Sequence, residues 1–115
     1  MRGILTSGMM AVILAGCAET QQAVDNVARR SAKAAVSETL TTRFPAVPAS
    51  AVTPATDCVI DNASAREIGE FAKDAVIGVS DTTVTLVRSV LERRDTQTCL
   101  AGVLVNNLGS LLEGV

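Results

Sequence analysis

Apolar residues recur at three- and four-residue steps in the second half of the chain, which is the spacing of one face of an α-helix. The clearest such segment begins at Ser64, because Glu67 three residues later completes the capping-box pattern of a helix start. Gly78 is expected to loosen the end of this helix, and Ser80 with Asp81 suits the start of the next. The apolar positions of the first of these helices are Ile68, Phe71, Ala72, Ala75, Val76 and Val79.

Two more helices are predicted after this one. The β-branched run 82–87 also fits a strand, but apolar residues continue at helical spacing to Leu91, and the length of the segment favours a helix. Residues 95–98 are typical of a turn, and the most strongly apolar face of the chain follows them. That face consists of Leu100, Val103, Leu104, Leu108, Leu111 and Leu112. The residues that we expect to be buried in a core are Phe71, Val76, Leu91 and Leu104.

The residues before this half predict a different kind of structure. Residues 19–44 form a polar, alanine-rich helical pattern whose apolar stripe lacks bulky side chains, so it is expected to bury little surface. We interpret it as a solvated stalk, with pairing to itself or to a partner as the second interpretation. An extended linker without helix is predicted over 45–57, followed by a short extended piece at 58–60. The linker contains three prolines, Pro45, Pro48 and Pro54.

The first residues of the chain have the features of a secretory signal. Arg2 and the initiator amine provide a positive start, and an eleven-residue, mostly apolar run follows over 4–14. The run is too short for a membrane span, which needs about 20 apolar residues. It ends in Leu14-Ala15-Gly16-Cys17, which resembles the lipobox of bacterial lipoproteins. An ordinary secretory signal, or a buried helix that ends in cysteine, is the alternative.

The resemblance implies a defined maturation and location. Cleavage between Gly16 and Cys17 would remove residues 1–16, and Cys17 would carry a diacylglycerol on its sulfur and usually a third acyl chain on its amine. Ala18, in place of an aspartate, favours the outer membrane, facing the periplasm, over the inner membrane. The resemblance covers only about the first eighteen residues, and it implies no fold or activity for the rest.

The remaining two cysteines predict a disulfide. Cys58 and Cys99 form an even pair in the oxidising compartment that the resemblance implies, although two separate buried thiols remain the alternative. Short turns let the three helices run up, down and up, which places both cysteines at the same end. The predicted fold is therefore all-α, with the signal over 1–16, a lipidated stalk over 17–44, the linker over 45–57 and a disulfide-stapled three-helix bundle over 58–115.

Composition excludes several classes of function. The 99 residues after Gly16 hold nine basic and twelve acidic side chains, a net charge of −3, which argues against binding to nucleic acid. The chain has no His, so it has no imidazole for a catalytic triad or for binding a metal. Two cysteines cannot hold a four-thiolate iron–sulfur cluster, and no glycine-rich phosphate loop or C-x-x-C pair is present. We expect no metal and no cofactor.

Three groups of charged residues are candidate sites, each with a simpler interpretation. The carboxylates could bind a hard cation or exchange protons, but a solvated helix face interleaved with Arg66 and Lys73 is favoured. The arginines of the second half could contact lipid phosphates or acidic cell-wall groups, although such arginines often complement a helix C-terminus. The cations of the stalk could contact anionic headgroups. The three groups are Glu67, Glu70 and Asp74; Arg88, Arg93 and Arg94; and Arg29, Arg30 and Lys33.

These features predict a small, non-enzymatic lipoprotein of the outer envelope with a structural or protein-binding role. Its expected partners are the membrane, through lipid on Cys17, and another envelope protein, which the bundle would bind because its last helix is more apolar than two neighbours can cover. A carrier of small apolar ligands or lipids is the alternative, since a leucine-lined bundle can open a groove. An accessory subunit of a membrane-associated oxidoreductase complex is the third possibility.

Overall fold

The structure, a computed structural model, describes residues 25–113, apart from the side chains of 107, 108 and 110–113. This part of the chain consists of helices and turns without a strand, so the predicted all-α fold is confirmed. The run 82–87 is helical, as its length indicated. The elements are α1 (25–43), a 3-10 turn (Ala49–Ala51), α2 (Val52–Asp61), α3 (Ala65–Ile77), α4 (Asp81–Leu91) and α5 (Arg94–Glu113).

The number of helices in the core differs from the prediction. A three-helix up-down-up bundle was expected, but α1 and α2 enter the same core as α3, α4 and α5. The core is built mainly from small and medium side chains, with Phe71 of α3 as its largest member. Its buried apolar residues are Ala32, Ala35, Val36, Leu40, Val52, Ala55, Val59, Ile60, Ile68, Phe71, Val87 and Val90.

Helix α1 is part of the core, so the prediction that residues 19–44 form a solvated stalk is wrong for the described part of that segment. Ala32, Ala35, Val36 and Leu40 are completely buried. The stripe is shallow because it consists largely of alanine, yet small side chains allow a neighbouring helix to approach closely. Residues 19–24 lie outside the described part of the chain.

The predicted extended linker over 45–57 is wrong for nine of its thirteen residues. Residues 49–57 form the 3-10 turn and the first six residues of α2, and 58–60, predicted to be extended, are helical as well. Pro54 is compatible with this helix because it is the third residue of α2, where the backbone N–H has no partner within the helix. Pro45 and Pro48 precede the 3-10 turn and so do not interrupt any helix.

Helices α3 and α4 begin and end largely where the sequence indicated. The Ser64 hydroxyl accepts a hydrogen bond from the Glu67 backbone N–H at 3.2 Å, and the Glu67 carboxylate accepts one from the Ser64 N–H at 2.8 Å. Gly78 ends α3 with a φ of 108°, a backbone conformation that side-chain-bearing residues rarely adopt. The turn expected at 95–98 is instead the first part of α5, which begins at Arg94.

Two of the four predicted core residues are not buried. Phe71 is completely buried, as expected, and Leu91 is partly buried against the core. Val76 and Leu104 are exposed, at 84% and 57% respectively. Val76 lies in the last turn of α3, and Leu104 lies on the side of α5 that faces away from the other helices. Helical spacing shows which residues share a face, but not where the neighbouring helix ends.

The contacts between helices give the domain two distinguishable ends. Arg29 and Lys33 of α1 pair with Asp61 and Asp57 of α2, so these two helices are antiparallel. Helix α5 is also antiparallel to α2, because Arg93 contacts the carbonyl of Asn62 while Cys99 is bonded to Cys58. Helices α1 and α5 therefore run in the same direction. We call the end at which they start the proximal end.

The opposite end, which we call the distal end, holds the last turn of α1 and the 3-10 turn. Arg43 of α1 lies 3.3 Å from the carboxylate of Asp81, the first residue of α4, so α4 starts there. The last turn of α3 lies there as well, since only 78–80 separate it from α4.

Candidate functional site

The predicted lipidation and cleavage residues, Gly16 and Cys17, lie outside the described residues. Asp25, the first described residue, follows Cys17 by eight positions and opens the described part of α1 at the proximal end.

The predicted disulfide is confirmed. Cys58 of α2 and Cys99 of α5 are bonded, with their Cα atoms 5.7 Å apart, which lies within the usual range for a disulfide. Cys58 is only 1% exposed and belongs to the interior. The bond closes a loop that contains α3 and α4, so its role in the domain is structural.

Glu67 and Arg93 form a close ion pair at the proximal end. The two terminal nitrogens of Arg93 donate to the two carboxylate oxygens of Glu67 at 2.8 and 2.6 Å, and Nη1 also donates to the Asn62 carbonyl at 2.7 Å. The hydrogen bonds from Arg93 hold the pKa of Glu67 at about 2, below its ordinary value of 4.5, although partial burial acts in the opposite direction. The pair joins the first turn of α3 to the turn before α5.

The other two predicted carboxylates do not converge with Glu67. Asp74 accepts a hydrogen bond from the Thr83 hydroxyl at 2.8 Å and so connects α3 to the first turn of α4. Glu70 is exposed. Among the described residues, no group of three or more acidic or cysteine side chains is arranged to hold a metal ion. The three carboxylates therefore lie in separate environments rather than in one acidic site.

The candidate cations are distributed in the same way. Arg93 is held by Glu67, and Arg88 lies over the ring of Phe44 with its guanidinium carbon 5.7 Å from the ring centre, a cation–π distance. Arg29 and Lys33 pair with aspartates of α2, whereas Arg30 and Arg94 are exposed. The structure does not gather these cations into a phosphate-binding cluster.

Two shallow clefts open at the surface near the proximal end. The first, of about 350 Å³, lies beside the Glu67–Arg93 pair, and charged side chains form most of its lining. The second, of about 280 Å³, lies where the start of α1 meets the start of α3. Their linings are Ser64, Arg66, Glu67, Glu70, Leu86 and Arg93 for the first, and Asp25, Ala28, Arg29, Ala63, Ala65, Ile68 and Gly69 for the second. Neither has the long apolar lining that an acyl chain would require.

Exposed apolar side chains are the more distinctive surface feature. Val76 and Ile77 are adjacent in the last turn of α3 at the distal end, and they are 84% and 68% exposed. Leu104 and Val105 are adjacent on α5 and are exposed as well. Single exposed apolar residues are common in proteins, whereas contiguous exposed apolar patches often mark contact sites.

Sequence reasoning missed the ion pairs that position α1 and the turn before α5. A signal for the first was present, since Arg29 and Lys33 are four residues apart, and so are Asp57 and Asp61. Two helices that are antiparallel can align such pairs. The Glu67–Arg93 pair had no comparable signal, because neither residue has a second side chain of the same charge four positions away.

Comparison with known proteins does not assign this chain to a family. No protein-family model matches it, and neither the curated proteins nor the solved structures contain a match. Within 25–113, none of the helices combines the length and the apolar content that crossing a bilayer requires.

Proposed function

We propose that this protein is a small lipid-anchored protein of the bacterial outer envelope whose helical domain binds another envelope protein. The observation that carries the proposal is the sequence Leu14-Ala15-Gly16-Cys17 after a short apolar run, which resembles a lipobox. The disulfide supports it, because disulfides persist in oxidising compartments such as the periplasm. In this proposal the protein acts by binding rather than by catalysis.

The direction of α1 supports an orientation of the domain on the membrane. Asp25 follows Cys17 by eight positions, and a fully extended chain of that length spans about 28 Å. Lipid on Cys17 would therefore hold the proximal end within about 28 Å of the membrane. The distal end, with Val76 and Ile77, would point into the periplasm.

The pair Val76 and Ile77 is the surface that we propose for the partner. These two side chains bury little within the domain, since they are 84% and 68% exposed. Burial of two such side chains against a partner would contribute about 1.5–3 kcal/mol each. A partner protein anchored elsewhere in the envelope would reach this end without contacting the membrane that holds the domain.

The experiment combines fractionation with cross-linking in intact cells. Cys17→Ser is expected to block lipidation, so the variant should leave the membrane fraction, whereas the unmodified protein should stay there after a high-salt wash. Val76→Glu should retain membrane attachment but lose cross-links to its partner. Val27→Glu, at another exposed apolar position, is the matched control and should keep them.

Each part of the proposal can fail separately. A Cys17→Ser variant that remains membrane-bound after the salt wash would show that lipid on this residue does not hold the protein. Cross-links that survive Val76→Glu, or that disappear equally with Val27→Glu, would exclude the Val76–Ile77 pair as the binding surface.

A further inference from the structure

Helix α1 lies outside the part of the domain that is closed by a covalent bond. The disulfide between Cys58 and Cys99 joins α2 to α5 and encloses α3 and α4 in its loop. The pair of Glu67 with Arg93 adds two hydrogen bonds between the start of α3 and the turn before α5. Helix α1 is joined to these four helices along the chain only by 44–51, which contain no α-helix. Contacts between side chains must therefore hold α1 in place.

The two halves of α1 are held by side chains of different size. We call 25–35 the proximal half and 36–43 the distal half. The completely buried side chains of the proximal half are both alanines, which offer little apolar area, whereas those of the distal half are larger. They are Ala32 and Ala35 in the proximal half, and Val36, Thr39 and Leu40 in the distal half. The distal half is therefore the part of α1 that fills the core.

Two ion pairs add to the attachment of the proximal half. Arg29 pairs with Asp61 and Lys33 pairs with Asp57, each at 3.0 Å between nitrogen and oxygen. All four side chains are between 42% and 64% exposed, so water competes for the charges and dissolved salt screens them. The attachment of the proximal half should therefore weaken as the ionic strength rises.

A bend in α1 is easiest at the boundary between the two halves. The Thr39 hydroxyl donates to the Ala35 carbonyl at 2.7 Å, and Thr41 and Thr42 each donate to the carbonyl four positions earlier at 2.8 Å. A hydroxyl bonded in this way shares the carbonyl with a backbone N–H of the helix, and such bonds favour bending. The first of them spans 35–39, so a segment that bends readily lies where the small buried side chains end.

An open cleft lies along the proximal half. It has a volume of about 280 Å³, with Ala28 of α1 on one side and Ala63, Ile68 and Gly69, in or just before α3, on the other. A Cβ atom built on Gly69 would meet no atom within 4 Å, so this side of α3 is loosely packed. Ile68, which belongs to the core and is only 9% exposed, would lose part of its cover if the proximal half moved away.

We propose that the proximal half of α1 is a strap that opens as one unit about 35–39, while the distal half and the other four helices stay folded. Salt promotes the opening, because it weakens the two exposed ion pairs that help to close the strap. The open form exposes apolar side chains of the core at Ile68, so the strap controls access to them. Neither the lipid anchor nor the surface at Val76 and Ile77 is needed for this motion.

Hydrogen exchange of single backbone amides, followed by NMR in the full-length protein at low ionic strength, tests the strap directly. A segment of eleven residues is too short to keep its helix in water alone, so its amides exchange when the strap opens. The amides of 29–35 should share one level of protection and exchange at least about tenfold faster than those of 40–43. A step in protection is therefore expected at 35–39.

Removal of the ion pairs should open the strap more often. Arg29→Gln combined with Lys33→Gln should raise exchange at 29–35 by roughly two- to thirtyfold, the range that two exposed pairs imply, without changing exchange in α4. Arg30→Gln is the matched control, because it removes an exposed cation from the same half. Raising the salt concentration to about 0.5 M should accelerate exchange at 29–35 in the parent but have little effect in the double variant.

Other results would overturn the strap. Protection that rises gradually from 29 to 43 would show fraying of the helix end rather than opening about a hinge. Protection of 29–35 equal to that of α2 would show that α1 opens only when the whole domain unfolds. An Arg30→Gln effect as large as that of the double variant, or no response of the parent to salt, would exclude the ion pairs as its control.

Discussion

Glu67 joins the capping box of α3 to Arg93 through one carboxylate. It completes the capping box with Ser64 and accepts hydrogen bonds from both terminal nitrogens of Arg93. These bonds hold the turn before α5 against the start of α3. Its side chain is 12% exposed, whereas that of Arg93 is 39% exposed, so water screens the pair only on one side. A carboxylate this strongly bonded remains charged at neutral pH, and we assign it a structural role rather than an acid–base one.

The depressed pKa of Glu67 predicts a specific dependence of stability on pH. The pKa is about 2 in the folded protein and 4.5 ordinarily, so the stabilisation is complete above pH 4.5 and is lost as the pH falls through about 2. Glu67→Gln keeps the capping box but removes the charge, and we expect it to lower the free energy of unfolding by about 1–3 kcal/mol at pH 7. Urea unfolding between pH 2 and 7 measures the difference, which should shrink towards the acid end.

Glu70→Gln is the matched control for this prediction. It removes the same charge from an exposed position of α3 that lies one turn further along. The control should keep the acid dependence of the parent protein. A gap between Glu67→Gln and the parent that stayed constant from pH 7 to pH 2 would show that the ion pair with Arg93 is not its origin.

Helix α1 shows how an alanine-rich element can be essential to a small core. Its buried positions include Ala32 and Ala35, which contribute little apolar area themselves but bring α1 close to the neighbouring helices. Leu40 then fills the interior near the distal end, where it is completely buried. A helix whose apolar side chains are mostly small can therefore still pack into the core.

Substitution of Leu40 tests the role of α1 directly. Leu40→Ala should lower the free energy of unfolding by about 2–5 kcal/mol, because it removes buried apolar surface and leaves a cavity. Phe71→Ala in α3 should cost about 3–5 kcal/mol for the same reason. Val27→Ala in α1 and Val76→Ala in α3, both at exposed positions, should change it by less than about 0.5 kcal/mol. Urea midpoints of the four variants provide the comparison, and a Leu40→Ala value close to that of Val27→Ala would contradict the placement of α1 in the core.

At the scale of the whole molecule, the disulfide holds together helices that are distant in sequence. Cys58 and Cys99 are 41 positions apart, and the bond connects α2 to α5 across the hairpin that α3 and α4 form. So small a chain can build only a limited apolar core, which makes a covalent cross-link a large part of its stability.

Removal of the cross-link should therefore be strongly destabilising. In the chain-entropy model a loop of this length contributes about 4 kcal/mol, a large share of the 5–15 kcal/mol typical of folded domains. The double variant Cys58→Ala with Cys99→Ala should lose about that amount in urea unfolding, and added reductant should not change it further. The unreduced parent should have an intact mass two hydrogens below the fully reduced formula, and thiols that alkylate readily without reductant would contradict the bond.

Structure that depends on residues close together in the chain could be predicted from the sequence by itself. The capping box of Ser64 and Glu67, the glycine that ends α3 and the helical character of 82–87 depend on residues within a few positions of one another, so their interactions are decided locally. The disulfide was also predictable, because an even pair of cysteines after a predicted secretory signal has few alternatives. The signal and lipobox remain sequence predictions, since they lie outside the described residues.

Only the tertiary structure decided which apolar faces meet. From the sequence we predicted a stalk for α1, because it has few bulky residues, and a linker for 45–57, because it has three prolines. These are local signals, whereas the core depends on ion pairs and close packing between helices that are distant in sequence. The same limit explains Val76 and Leu104: periodicity assigned both to a buried face, but the neighbouring helices do not cover these positions. Whether a side chain is buried depends on which neighbouring helices cover it, and the spacing of residues within one helix does not determine that.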